Sequence, residues 1–166
     1  AGRVPLAEFV DMGYVRDVIE HVVVVKNDYR ASYDAVRKAA TDFPSLNVTA
    51  AWWDNSWHVT VGARPLRATL LQGEACGLTA EQPSEDELRA LAASVRALSY
   101  GTNMWGSAEY RRRISAPLAV QAVRRAAGIE LSAALARELE TVQIPKFATD
   151  EYSCRRVPGV DSSEVR

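Results

Sequence analysis

The feature that most constrains the fold is a pair of short segments joined by two turn-forming residues. Residues 47–53 (NVTAAWW) and 56–62 (SWHVTVG) flank Asp54 and Asn55. Val, Thr and Trp favour strands, and a two-residue Asp-Asn connection suits the tight turn of a β-hairpin. Alternation leaves apolar side chains on both faces of this hairpin. We therefore expect helices to cover one of the two faces.

Two segments before the hairpin also bear on the sheet. Residues 21–26 (HVVVVK) form a β-branched run bounded by polar residues, which predicts a buried strand. Residues 32–40 are ambiguous, because Ser32 is able to cap a short helix but the segment is too brief to show a period. Pro44 disfavours helix at Phe43, immediately before it.

Three helices are predicted after the hairpin. Ser84 and Glu87 have the spacing of a capping box at the start of the first helix. The second begins at Gly106-Ser107 and ends at Gly128, and Pro117 predicts a kink near Arg113. The third carries leucines at four-residue spacing and runs to about residue 140. The polar remainder, residues 141–166, is interpreted as an extended tail that docks on a partner.

The order of these elements, strands first and helices afterwards, indicates the α+β class. We expect a small antiparallel β-sheet covered on one face by a three-helix bundle. The 166 residues are enough for about one domain that buries its own core.

Composition excludes several classes of function. The 20 Lys and Arg residues are balanced by 21 Asp and Glu, without the basic surplus of a nucleic-acid binder. The basic run at residues 111–113 is interpreted as a solvated helix face. The longest apolar run near the start, residues 22–25, is too short to cross a membrane. Cys76 and Cys154 lie far apart, so we expect two thiols in a reducing cytoplasm and no metal site.

Residues of the kind that carry catalysis are sparse. The glycines are scattered, and no Gly-rich phosphate-binding pattern occurs. His58 has no evident nucleophile to activate, so a structural role is the simpler interpretation. Arg37 and Lys38 form a basic pair that is able to hold a phosphate or simply to lie on the surface. Trp52, Trp53 and Trp57 suit either a stacking platform or the core beneath helices, and we favour the core.

Three stretches together resemble one family. They are residues 3–26 (RVPLAEFVDMGYVRDVIEHVVVVK), residues 32–68, which include the hairpin, and residues 106–126, which begin GSAEYRRR. Their order and spacing are similar to the carboxy-terminal domain of the FAD-binding subunit of molybdenum hydroxylases, the family of carbon monoxide dehydrogenase and xanthine dehydrogenase. The resemblance covers roughly residues 4–128.

The resemblance implies a place in electron transfer. In that family a molybdenum centre passes electrons through iron–sulfur clusters to FAD, and this domain acts mainly as scaffold and subunit contact. It implies a molybdopterin-binding large subunit and a [2Fe-2S] small subunit as partners, with a homodimer left open. The expected divisions are residues 1–20, the end of a preceding FAD-binding subdomain; residues 21–140, the domain itself; and residues 141–166, the tail.

The same resemblance assigns flavin contacts to Ile19, just before the predicted first strand, and to Arg37 or its neighbour Lys38. It implies no catalytic residue and no metal ligand in this chain. Because the family's Gly-rich FAD loops are missing, we expect the sequence to be part of a longer protein and inactive by itself. The alternative is a standalone, non-catalytic protein-interaction module.

Overall fold

The computed structural model describes residues 2–13, 18–139 and 152–154. The strands of this part are β1 (Arg30–Val36), β2 (Leu46–Trp53), β3 (Ser56–Gly62), β4 (Thr69–Gln72) and β5 (Tyr152–Cys154). Its helices are α1 (Leu6–Phe9), α2 (Glu85–Ala97), α3 (Ala108–Ala127) and α4 (Ala133–Leu139), with a 3-10 turn at Gly73–Ala75. The strands form one antiparallel sheet in the order β4-β3-β2-β1-β5.

The predicted hairpin is confirmed in position and register. Strands β2 and β3 pair so that Trp53 lies opposite Ser56, which leaves Asp54 and Asn55 as the two-residue turn. Their φ angles are 52° and 54°, the left-handed values that a type I′ turn requires at both positions. Asp and Asn tolerate these angles better than most residues, so local chemistry sets the hairpin register.

The buried strand predicted at residues 21–26 is wrong. These residues belong to no strand, and the four valines at 22–25 are between 62% and 81% exposed. Strand β1, from Arg30 to Val36, takes the place beside β2, and β5 pairs with its other edge. The ambiguous segment from residue 32 thus supplies the strand.

One face of the sheet forms the core. Its buried side chains come from alternate positions of four strands, as the pleat requires: Ser32, Asp34, Val36, Leu46, Val48, Ala50, Trp57, Val59, Val61 and Leu71. The indole of Trp57 is fully buried, and its Nε1 donates a hydrogen bond to the Ala80 carbonyl at 2.8 Å. The prediction of a core position therefore holds for this tryptophan.

Helix α3 lies directly on β1 and β2, and α2 packs against α3. An ion pair between Arg125 of α3 and buried Asp34 of β1 joins the helix to the sheet. Arg89 Nε of α2 donates to Glu138 Oε2 of α4 at 3.1 Å. This bond joins α4, the third of the predicted helices, to α2. The α+β class, with an antiparallel sheet covered by helices, is confirmed.

The helix ends follow the predicted signals. Ser84 and Glu87 form a complete capping box at the start of α2. Ser107 caps α3, which continues through Pro117 and ends at Gly128 with φ at 70°, where a side chain would be strained. The third helix ends at Leu139, and most of the predicted tail lies outside the described residues. Within that tail, Tyr152–Cys154 are extended and pair with β1.

Replacing Asn55 by Gly should stabilise the protein. Glycine adopts a positive φ without the steric cost that a Cβ brings, and the second position of a type I′ turn favours it. We expect Asn55→Gly to raise the free energy of unfolding by about 0.5–1 kcal/mol, measured by urea denaturation. The matched control, Thr49→Gly within β2, should lower it by a similar amount. A loss of stability in the turn variant contradicts this account of the hairpin.

Glu87 should make stability depend on acid pH. Burial raises the pKa of its carboxyl, but hydrogen bonds from Ser84 and Thr79 outweigh that effect and lower the pKa from 4.5 to about 2. A carboxyl whose pKa is lower in the folded state stabilises the protein above the unfolded value, and this contribution disappears as the pH falls toward the folded value.

We therefore expect Glu87→Gln to destabilise the protein by about 1–2 kcal/mol at neutral pH, allowing for the partial exposure of the side chain. The difference from wild type should shrink between pH 4.5 and about 2 in urea titrations. Glu74→Gln, at an exposed position, is the control and should leave the pH profile unchanged. A difference that stays constant with pH contradicts the role given to the Glu87 carboxylate.

Candidate functional site

Three connections meet at one end of the sheet and form what we call the loop cluster: residues 37–45, 63–66 and 101–106. Lys38 Nζ donates to the Met104 carbonyl at 3.1 Å, and Ser45 Oγ donates to the Trp105 carbonyl at 2.7 Å. The amide of Gly101 donates to the Arg64 carbonyl at 2.8 Å. Strand β1 ends, β2 begins and β3 ends at the cluster, so the antiparallel topology brings these loops together.

The side chain of Arg111 holds the loop cluster together from inside. It is fully buried, one turn into α3. Its Nε donates to the carbonyls of Ser45, at 2.7 Å, and Ala63, at 3.2 Å. Its Nη1 donates to the carbonyls of Gly101, at 2.9 Å, and Gly106, and its Nη2 donates to Oδ1 of Asn103. One guanidinium thus bonds all three loops.

Neutral oxygens, rather than a carboxylate, surround the Arg111 guanidinium. Burial lowers the pKa of this group, because the charged form loses its hydration. The five acceptors replace that hydration and satisfy loop carbonyls that would otherwise lie buried without donors. Arg111 is therefore a structural cation that fixes loop geometry.

The start of α3 places Arg111 at this position. Ser107 caps the helix by accepting a hydrogen bond from the Tyr110 amide at 3.1 Å, and the Ala108 amide donates to Thr102 Oγ1 at 3.0 Å. A Cβ at Gly106 would lie 3.2 Å from the Tyr110 ring, closer than ordinary contact. In the Gly-Ser-Ala-Glu-Tyr-Arg stretch, the close contact with Tyr110 therefore explains Gly106, and the hydrogen bonds to the loops explain Arg111.

An open cleft with an approximate volume of 630 Å³ lies on the loop cluster. Phe43 and Trp105 form an edge-to-face pair in its wall, with ring centroids 5.6 Å apart. Trp105 Nε1 donates to Oδ1 of Asp42 at 3.0 Å, which fixes the indole. The remaining lining consists of Pro44, Asn47, Ala63, Pro65, Leu66 and Asn103. None of these lining side chains titrates, so the cleft suits holding an apolar or planar group rather than acid–base chemistry.

Two of the predicted flavin contacts, Arg37 and Lys38, belong to the loop cluster. Arg37 directly follows β1, is half-buried and donates to the Tyr33 hydroxyl at 3.2 Å. Lys38 is bonded to the Met104 carbonyl, as described above, next to Trp105 of the cleft. Ile19 lies in the connection before β1 and is 63% exposed. No hydrogen bond or ion pair of the described residues joins Ile19 to the other two.

The aromatic and histidine side chains of the hairpin divide between the two faces. Trp52 packs against Trp57 with centroids 5.6 Å apart. On the other face Trp53 stacks on His58 at 5.1 Å and remains 43% exposed. The predicted core position is therefore wrong for Trp53, because the pleat turns it away from the helices. His58 has only the Ser56 carbonyl as hydrogen-bond partner in the described part of the chain, at 3.3 Å.

Sequence reasoning missed Arg111, Phe43 and Trp105. The interpretation of residues 111–113 as a solvated face is wrong for Arg111, although Arg112 and Arg113 are exposed. A signal was present, since Arg111, Ile114 and Leu118 share the buried stripe of one helix. No local signal marks Phe43 and Trp105, because the two aromatic residues lie 62 positions apart in the sequence.

Metal and membrane chemistry receive no support from the described residues. Within residues 2–13, 18–139 and 152–154, no three His, Cys, Asp or Glu side chains form a group that could hold a metal ion. Cys76 is buried, and burial raises the pKa of its thiol. No helix in that same part of the chain has the length and apolar character needed to cross a bilayer.

Removing the Arg111 guanidinium should destabilise the whole loop cluster. Arg111→Met leaves the carbonyls of three loops without donors, and each unsatisfied buried group costs about 1–3 kcal/mol. We expect the free energy of unfolding to fall by at least about 3 kcal/mol in urea denaturation. Arg96→Met, at an exposed position in the last turn of α2, should change it by less than about 0.5 kcal/mol. Equal effects of the two variants contradict the role of Arg111.

Comparison with known proteins extends the description of the fold. No family model matches the chain, and no curated protein matches it significantly. Among solved structures, the chain is similar to quinoline 2-oxidoreductase from Pseudomonas putida 86, with a TM-score of 0.53 and 16% sequence identity. The match covers 61% of this chain and 38% of that one. This likeness shows a shared fold, and the chain spans well under half the length of that protein.

Proposed function

We propose that the chain is the carboxy-terminal domain of an FAD-binding subunit of the molybdenum-hydroxylase type. In this proposal the full protein receives electrons from a molybdenum centre through iron–sulfur clusters and delivers them to FAD. The domain itself supplies scaffold and subunit contacts. Its partners are a molybdopterin-binding large subunit and a [2Fe-2S] small subunit, in the cytoplasm.

The observation that carries the proposal is the agreement between the fold likeness and the motif resemblance. The structure that this chain is similar to belongs to a molybdenum hydroxylase. The GSAEYRRR stretch resembles the same family, and here its first arginine, Arg111, bonds the three loops that form the cleft. A resemblance in sequence and a structural reason for the same residue thus support one family.

The residues beside the cleft are of types that suit a flavin nucleotide. Lys38 and Arg37 provide positive charge that favours phosphate, and Phe43 and Trp105 offer aromatic surface. Lys38 bonds the residue next to Trp105, so charge and aromatic surface lie side by side. FAD would supply the electron-accepting chemistry when bound. This chain would contribute peripheral contacts, with Ile19 as an apolar one.

A second candidate function is a non-catalytic protein-interaction module. The observation that favours it is the exposed apolar run at residues 22–25, which belongs to no strand in the described part of the chain. In a subunit of a larger enzyme such a run has neighbouring chain to cover it. In a module it would be the partner-binding surface itself. The two functions differ in whether flavin and molybdenum accompany the protein.

The proposal is tested on the protein at its full natural length, purified from its native host. We expect about one FAD per subunit by absorbance and by release on denaturation. We also expect molybdenum and iron by elemental analysis, carried by co-purifying subunits. A preparation without flavin that cannot be reconstituted with FAD contradicts the proposal, and partners without molybdenum or iron favour the interaction module.

Substitutions in the same full-length protein locate the flavin contacts. Lys38→Met removes a positive charge beside the cleft and should lower FAD retention several-fold, because a phosphate loses a partner. Lys26→Met removes the same charge at an exposed position of the preceding connection and serves as the control. Equal FAD retention in the two variants would show that Lys38 makes no flavin contact.

A further inference from the structure

Arg64, in the loop that follows β3, is a buried cation with unused hydrogen-bond donors. The residue is only 8% exposed. Its Nε and Nη1 are buried and donate to no partner among the described residues. A guanidinium taken from water without compensating bonds is costly, and proteins normally pair such groups. The contrast with Arg111, whose three nitrogens all donate to oxygen, makes Arg64 exceptional in this loop cluster.

The backbone on both sides of Arg64 is held in place. The Ala63 carbonyl accepts from Arg111, and the Arg64 carbonyl accepts from the Gly101 amide at 2.8 Å. A Cβ at Gly101 would lie 3.1 Å from that of Pro65, so the two loops are in close contact. These bonds fix the backbone from which the Arg64 side chain extends.

Ala63 carries backbone strain directly before Arg64. Its φ is 55°, a left-handed value that costs a residue with a Cβ about 1–2 kcal/mol. Such strain persists where the surrounding structure enforces it, and it is frequent at ligand-binding positions. The position of Arg64 is therefore maintained by the bonds to Arg111 and Gly101 against a local cost.

Arg64 has no acidic partner among the described residues. Burial raises the pKa of Tyr100, whereas the positive charges of Arg64 and Arg112 act to lower it. The Tyr100 hydroxyl itself donates to the Val95 carbonyl at 2.6 Å. No ion pair of the described residues engages Arg64 or Arg112. A buried guanidinium without an acidic partner favours an anion from outside the chain.

We propose that Arg64 binds an oxyanion, either a phosphate group or a carboxylate. Both anions accept two parallel N–H bonds from one guanidinium, which gives geometric specificity as well as charge. Burial strengthens such bonds, because water competes less for the donors. This site does not depend on the proposed function, since the argument for it uses only the buried donors of Arg64 that have no partner among the described residues.

The test is anion-dependent stability of the purified chain at low ionic strength. Inorganic phosphate and acetate are compared with chloride at matched ionic strength, because screening by salt is then equal. A ligand that binds the folded state raises the melting temperature as its concentration increases. We expect phosphate or acetate to raise the melting temperature beyond the effect of chloride. The stronger of the two identifies the source as a phosphate group or a carboxylate.

Variants assign that response to Arg64. Arg64→Met should weaken the apparent affinity for the preferred anion at least tenfold, a loss of about 1.4 kcal/mol. Arg64→Lys keeps the charge but loses the forked donors, so its apparent affinity for that anion should lie between those of the wild type and Arg64→Met. Arg67→Met is the control: it removes the same charge three residues away, at an exposed ion pair with Asp11, and should respond like wild type.

Each outcome decides the proposal. Equal effects of phosphate, acetate and chloride on the wild type overturn it, as does an unchanged response in Arg64→Met. If Arg64→Met does not fold, isothermal titration of Arg64→Lys decides instead: several-fold weaker binding supports the site, and unchanged binding overturns it. Loss of flavin from the full-length protein bears only on the proposed function, so the two proposals fail separately.

Discussion

The buried guanidinium of Arg111 is the interaction on which the working end of this fold depends. Loops carry backbone carbonyls that need donors once water is excluded, and three loops meet here away from any strand partner. One planar group with five N–H bonds supplies those donors in several directions at once. Lysine has neither the fork nor the reach to replace it. The cleft on the loops therefore exists because Arg111 of α3 donates hydrogen bonds to the carbonyls of all three loops.

The sheet-and-helix core and the loop cluster are held together by different kinds of interaction. The sheet and its helices are joined mainly by apolar burial around Trp57 and the valines of β2 and β3, together with the ion pair between Arg125 and Asp34. The loop cluster is held together by hydrogen bonds from the charged Arg111 guanidinium, and the strength of such bonds depends strongly on geometry. Apolar cores tolerate changes of similar volume, whereas a forked cation tolerates few substitutions. Change is therefore expected to be easier in the core than at Arg111.

The parts of the fold that sequence analysis predicted correctly have local causes. The Asp54-Asn55 turn and the Ser84 cap each act over four residues or fewer, so a short window contains everything that determines them. The strand predicted at residues 21–26 was wrong because a strand also needs a partner strand, and β1 rather than this segment pairs with β2. The burial of Arg111 was missed for a similar reason: its acceptors lie up to 66 residues away.

The exposed valines at residues 22–25 have a consequence for handling the protein. These valines favour strand structure, but they pair with no strand in the described part of the chain, and a single lysine follows them. Short apolar runs of this kind pair readily with copies of themselves, and identical segments then stack into cross-β assemblies. We therefore expect self-association at high concentration, rather than unfolding, to limit work on this chain in isolation. A charged substitution at the exposed Val23 should reduce this self-association and leave the core unchanged.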